Sequence, residues 1–307
     1  MELNFDPAKF TPEQYAIVKR MMMPNTFDPT TVARNFTDVS YGPLPEQKLD
    51  IYLPPEGDGP WPLIIYVHGG GWTLGSRREC SLEAIIDALN YGYAIISVDY
   101  RLVPQVIFPE FLYDVKTAVR WARTNAAQYG FDPQRFAVMG DSAGGNLALM
   151  IGFTADIPEY EGYKYGCCEV SSAVQAVVDM FGTAILNADD PAFLKESGVP
   201  EIRLGNPKES RLESRMKCFT TDPAMLPFIS PLALVHKDIP PVLILQGEMD
   251  PTVPKQHSIL LAERIHKLCG PDRAELRLYP ERTHADYAFM TDETAHTVVE
   301  FLDKYLK

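Results

Sequence analysis

One stretch limits the folds open to this chain more than any other. The apolar run Phe136-Ala137-Val138-Met139 breaks at Gly140-Asp141-Ser142-Ala143-Gly144. It then passes at once into Gly145-Asn146-Leu147-Ala148, small and apolar residues that favour helix. This order suits a strand that turns sharply into a helix with Ser142 at the apex. Gly140 and Gly144 flank the serine where the backbone passes too close to its neighbours for a side chain. The turn leaves the Ser142 hydroxyl exposed at the strand end, and the Ala143 amide faces the same point from the helix N-terminus. Gly-x-Ser-x-Gly alone is common by chance; the flanking strand and helix make it specific. A serine so placed needs a base, an acid and an oxyanion hole from elsewhere in the chain.

At 307 residues and 46% hydrophobic, the chain can bury a large core and fits a single α/β sheet enzyme with insertions. The formal net charge of −13 opposes nucleic acid and anionic membranes as partners, since an acidic surface is repelled by both. It also disfavours a strongly anionic substrate. Met1-Glu2-Leu3-Asn4-Phe5-Asp6 has neither a basic region nor an apolar run, so no secretory signal is expected. No window approaches a membrane span. The five cysteines (Cys80, Cys167, Cys168, Cys218, Cys269) are odd in number. They read as reduced thiols of a cytoplasmic protein. Cys167 and Cys168 are adjacent, which is not a metal-ligand spacing, and no metal site is expected.

Residues 1–45 read as a cap segment ahead of the sheet. Thr11-Pro12-Glu13-Gln14 resembles a capping box, and Tyr15, Val18 and Met22 follow on one helical face until Pro24. Packing on the body is the plain role of that helix; a lid at the pocket mouth is the alternative. Strands are expected at 47–53, 63–68, 93–98, 136–139, 174–180, 241–246 and 275–279. Several are continuous Ile- and Val-rich runs, the pattern of strands buried on both faces. Helical stretches lie between them, the clearest from Glu110 to Gln128. Alternation of strand and helix implies a mostly parallel sheet with its ligand at the strands' carboxyl ends. Residues 183–232 turn polar, charged and proline-bearing, and read as an insertion over the pocket.

Three consecutive glycines, Gly69-Gly70-Gly71, follow the strand that ends at His68. They carry a backbone entropy cost and serve no packing purpose there, but they let amides point into a cavity. Gly70, Gly71 and Ala143 are therefore the expected oxyanion donors, each worth about 10²–10³ in rate. His68 is expected to be structural, with its ring bonded to the loop backbone. The strand Pro241–Gln246 leads into Gly247-Glu248-Met249-Asp250-Pro251. Asp250 and Glu248 both qualify there as the acid that orients an imidazole, and the turn proline favours Asp250. Among the histidines only His284 follows a strand end beyond that acid. The order Ser142, Asp250, His284 is that of the α/β-hydrolases.

These residues together resemble the hormone-sensitive-lipase-like branch of the α/β-hydrolase esterases. The resemblance is carried by His68-Gly69-Gly70-Gly71-Trp72, Asp99-Tyr100-Arg101-Leu102-Val103-Pro104, Tyr129-Gly130-Phe131-Asp132-Pro133 and Gly140–Asn146. Val174–Asp179, Ile229–Leu232 and Asp250–Pro254 are similar to a bacterial feruloyl and acetyl-xylan esterase sub-branch. Gln105 replaces the usual glutamate, and His284-Ala285-Asp286 the usual His-Gly. The resemblance covers roughly residues 45–305. A single α/β-hydrolase domain over 1–307 is expected, and the resemblance implies a serine carboxylesterase of small or short-chain acyl esters, acetyl or feruloyl esters of sugars among them. It implies the triad Ser142, His284 and Asp250, no cofactor, and a small-molecule ester as partner. An amide hydrolase such as an arylformamidase or peptidase, or a non-catalytic small-molecule receptor, are the other readings. Trp72, Tyr100, Phe181 and Tyr287 are candidates for an aromatic wall against the substrate, with ordinary core packing as the alternative. A homodimer is compatible with the family, and no segment specifies it.

Overall fold

The computed structural model describes residues 26–186, 218–220, 222 and 225–307. The expected capping-box helix at 11–22 and most of the expected 183–232 insertion lie outside the described residues.

The long apolar runs become the interior of an eight-stranded sheet. Its strands are β1 (Asn35–Ser40), β2 (Lys48–Tyr52), β3 (Trp61–Val67), β4 (Ala94–Val98), β5 (Phe131–Asp141), β6 (Ala176–Met180), β7 (Val242–Gly247) and β8 (Ala274–Tyr279). They are arranged in the order β1-β2-β4-β3-β5-β6-β7-β8. From β4 to β8 every pairing is parallel; β1 and β2 add an antiparallel edge. The inner strands are buried on both faces because helices cover both. Alternate residues of β3 show the division. Leu63, Ile65 and Val67 share a core with α1 (Glu110–Thr124), α2 (Ala143–Phe153) and α3 (Gln256–Cys269), whereas Ile64 and Tyr66 share one with residues 82–89 and α4 (Asp292–Leu306). This is the α/β-hydrolase fold.

The sheet differs from expectation at its edge. Asn35–Ser40, assigned above to a segment ahead of the sheet, pairs with β2 as β1. Most of its residues are exposed, so it lacks the apolar alternation that marks a strand. The helix expected to reach Gln128 stops at Thr124, and a separate turn, Ala126–Tyr129, follows Asn125. The functional consequence of the topology lies at the other end of the strands. The carboxyl ends of β3, β5, β6, β7 and β8 deliver the glycine loop, Ser142, Phe181, Asp250 and His284 to one edge of the sheet.

Candidate active site

Ser142 stands between β5 and α2 at φ 52°, ψ −113°, a left-handed conformation that a non-glycine residue adopts only under constraint. The constraint is the packing of the turn. A Cβ at Gly144 would come within 2.0 Å of the Val67 carbonyl oxygen, and one at Gly140 within 2.3 Å of the Gly144 carbonyl oxygen. The Ser142 amide donates to the Met180 carbonyl at 2.9 Å, fixing the apex to β6.

His284, on the loop after β8, reaches across to this serine. Its Nε2 lies 3.0 Å from Ser142 Oγ and its Nδ1 2.7 Å from Asp250 Oδ2. A carboxylate only accepts, so Nδ1 carries the ring proton and Nε2 is left to accept from the serine hydroxyl. Asp250 is held in turn from three sides. The Thr252 and Val253 amides each donate to Oδ1 at 2.8 Å, and Gln246 Nε2 donates to Oδ2 at 3.2 Å. Ser258 donates to Gln246 Oε1 at 2.9 Å and fixes the orientation of that amide. Glu248, the other candidate acid, pairs instead with Lys255.

The glycine loop is clamped to the serine turn by Asp141. Its Oδ1 accepts the Gly69 amide at 2.9 Å and the Tyr66 hydroxyl at 2.6 Å. Gly70 and Gly71 take positive φ values of 101° and 62°. Among the described residues their amides have no hydrogen-bond acceptor, nor has that of Ala143. His68 supports the loop as a strut: it is buried, its Nδ1 lies 2.8 Å from the Gly69 carbonyl oxygen, and burial lowers its pKa, keeping the ring neutral. Tyr100 stacks on that ring at 4.4 Å, and its hydroxyl donates to the His68 carbonyl at 3.0 Å.

The four expected wall aromatics are placed differently from one another. Tyr100 is committed to His68. Trp72 is buried, edge-on to Phe219 at 4.7 Å, and Phe181 is buried edge-on to His284 at 5.1 Å. Tyr287 is half-exposed beyond the histidine loop. Asp141, Tyr66 and Gln246 are site residues that sequence reasoning misses. The one signal each carries is a polar side chain inside or at the end of an apolar strand.

Among the described residues no group of three or more His, Cys, Asp or Glu side chains could hold a metal ion, and no two of the five cysteines form a disulfide. No described helix is long and apolar enough to cross a membrane. The arrangement can pass a proton from a hydroxyl to an imidazole that a buried carboxylate orients, beside free amides suited to a developing negative charge.

A family model described as BD-FAE matches residues 49–265. The chain is 30% identical to Esterase LipC of Mycobacterium tuberculosis over 278 residues, 87% of this chain and 64% of that protein. It spans 64%, 51% and 58% of the lengths of Esterase LipC, Esterase LipQ and the probable carboxylic ester hydrolase LipM of that organism. Among solved structures, a truncated carbohydrate esterase from gut microbiota superposes with a TM-score of 0.69 at 27% identity, covering 91% of this chain and 98% of that one. Thermogutta terrifontis esterase 2 phosphonylated by sarin superposes with a TM-score of 0.66 at 25% identity, covering 84% and 89%.

Proposed function

The chain belongs to the BD-FAE family, and on that premise we propose that it is a serine carboxylesterase of small or short-chain acyl esters. The observation that carries this reading is the unbroken relay from Ser142 Oγ through His284 to Asp250, with gaps of 3.0 and 2.7 Å. As Ser142 Oγ attacks the ester carbonyl carbon, its proton moves to His284 Nε2. The carbonyl oxygen becomes an anion facing the amides of Gly70, Gly71 and Ala143. These donors are set before the reaction begins, so stabilising the anion needs no reorganisation. Collapse breaks the bond to the alcohol oxygen, which takes the proton from His284 and leaves an acyl-serine. Water then attacks with His284 as base, releasing the acid and restoring the serine. The imidazolium that forms twice in this cycle is stabilised by the buried Asp250 carboxylate.

Acetyl and feruloyl esters of sugars are the substrate class we favour, on the resemblance of the motifs and the likeness to a carbohydrate esterase. Kinetics across acetyl, butyryl, octanoyl and feruloyl esters test both parts of the proposal. Turnover should be highest with the acetyl or feruloyl members and absent in Ser142→Ala. Undiminished hydrolysis by Ser142→Ala would remove this serine as nucleophile. A preference for formamide or peptide substrates would move the assignment to an amide hydrolase.

A further inference from the structure

Asp179 takes no part in the acyl transfer described above, yet it is fully buried one residue before the end of β6. Its side chain lies on the α2 side of the sheet. Oδ1 accepts the Gly182 amide at 2.9 Å, and Oδ2 has no partner among the described residues. Enclosing a carboxyl group costs more than one hydrogen bond from a neutral amide returns, so a merely space-filling role would be better served by an apolar side chain.

The carboxyl is the contact between two parts of the site. A Cβ at Gly145 would come within 2.4 Å of Asp179 Oδ1, and one at Gly182 within 2.1 Å. Gly145 lies in the first turn of α2, just past Ser142. Gly182 follows Phe181, whose φ of 43° is held although its side chain disfavours it. That turn directs the Phe181 ring edge-on to the His284 imidazole, with Phe289 behind it at 5.0 Å. Ala285, next to the histidine, is also held at a positive φ of 50°.

We propose that Asp179 is a positioning residue for the acyl transfer. Wedged between Gly145 and Gly182, it fixes the turn that presses Phe181 against His284, and so sets the imidazole relative to Ser142 Oγ. The assignment rests on the esterase reading above. Burial pushes the Asp179 carboxyl up to about 7, so a neutral side chain that keeps an acceptor oxygen should replace it.

The test compares Asp179→Ala, Asp179→Asn and Phe181→Leu by kcat and KM, each normalised to active sites titrated with an organophosphate. Displacing a reacting group by about an ångström costs about 10²-fold. Asp179→Ala and Phe181→Leu should therefore lose between about 10-fold and 10²-fold in kcat per titrated site, with KM changed less than about twofold. Asp179→Asn, which still accepts from Gly182, should restore kcat to within about threefold of the wild type. A wild-type kcat per titrated site in Asp179→Ala, or a loss confined to KM, would overturn the proposal. So would an Asp179→Asn variant as impaired as the alanine. A wild-type protein that takes up no organophosphate would instead bring down the esterase reading, and this assignment with it.

Discussion

Asp250 and His284 lie 34 positions apart in sequence and meet with 2.7 Å between Oδ2 and Nδ1, while the other Asp250 oxygen is held by two backbone amides. The carboxylate is thus anchored independently of the histidine it orients. Asp250→Asn would keep the shape and present an amide NH2 or a weaker acceptor to Nδ1, favouring the wrong imidazole tautomer. We expect kcat to fall by about 10⁴, as it does when the same change is made in other Ser-His-Asp enzymes, with KM nearly unchanged. Steady-state kinetics on a short-chain p-nitrophenyl ester give the answer. A loss under about tenfold would mean that the imidazole is oriented by something else.

The glycine loop is tested through its backbone amides, which carry no formal charge of their own. A Cβ at Gly70 would lie 2.3 Å from the Leu74 carbonyl oxygen, and the φ of 101° excludes most side chains. Gly70→Ala must therefore turn its own amide, or that of Gly71, away from the serine. The expected cost is about 10²–10³ in kcat, the usual effect of losing one oxyanion donor. The same strain should lower the melting temperature, so kcat is compared per titrated active site. Unchanged kcat would place the oxyanion elsewhere.

Away from the site, Glu161 is enclosed with two cations. Lys116 Nζ lies 2.7 Å from Oε1 and Arg120 Nη1 2.6 Å from Oε2, with all three side chains fully buried. Burial pulls the Lys116 amine down to about 8, with Glu161 opposing the shift. Glu161→Gln leaves two buried cations without their paired carboxylate and should cost about 3–5 kcal/mol of stability. Denaturant unfolding measures this, and kcat per active site should be unaffected.

The buried Asp179 carboxyl sets a pH dependence of opposite sense to that of an ordinary carboxylate. Its value of about 7 lies above the usual 3.8, so the folded protein holds this proton more tightly than the unfolded chain does. The resulting stabilisation is complete below about pH 4, declines as the pH rises above it, and is lost as the pH passes through 7. Unfolding free energies of the wild type minus those of Asp179→Asn should decline across that window. Parallel profiles would show that the carboxyl is not titrating there.

Much of this site is legible in the sequence because its signals are local. Apolar runs of strand length mark the sheet, and the residues just past them, Gly69–Gly71, Ser142, Asp250 and His284, are the ones the topology gathers. What the sequence does not disclose is the scaffold between them. Asp141 meets Gly69 across 72 positions and Tyr100 meets the His68 carbonyl across 32, and such pairings leave no periodic trace. Tyr100 and Phe181 stand out in the sequence for their aromatic character, whereas their partners are His68 and His284. Strand β1 escapes notice because an exposed edge strand carries no apolar alternation.

The most direct measurement is covalent labelling with a fluorophosphonate followed by mass spectrometry of the digested protein. One label per chain should be found on the peptide containing Ser142, with no label taken up by Ser142→Ala and only slow uptake by His284→Ala. Label on another residue, or equal uptake by the Ser142→Ala variant, would contradict the account.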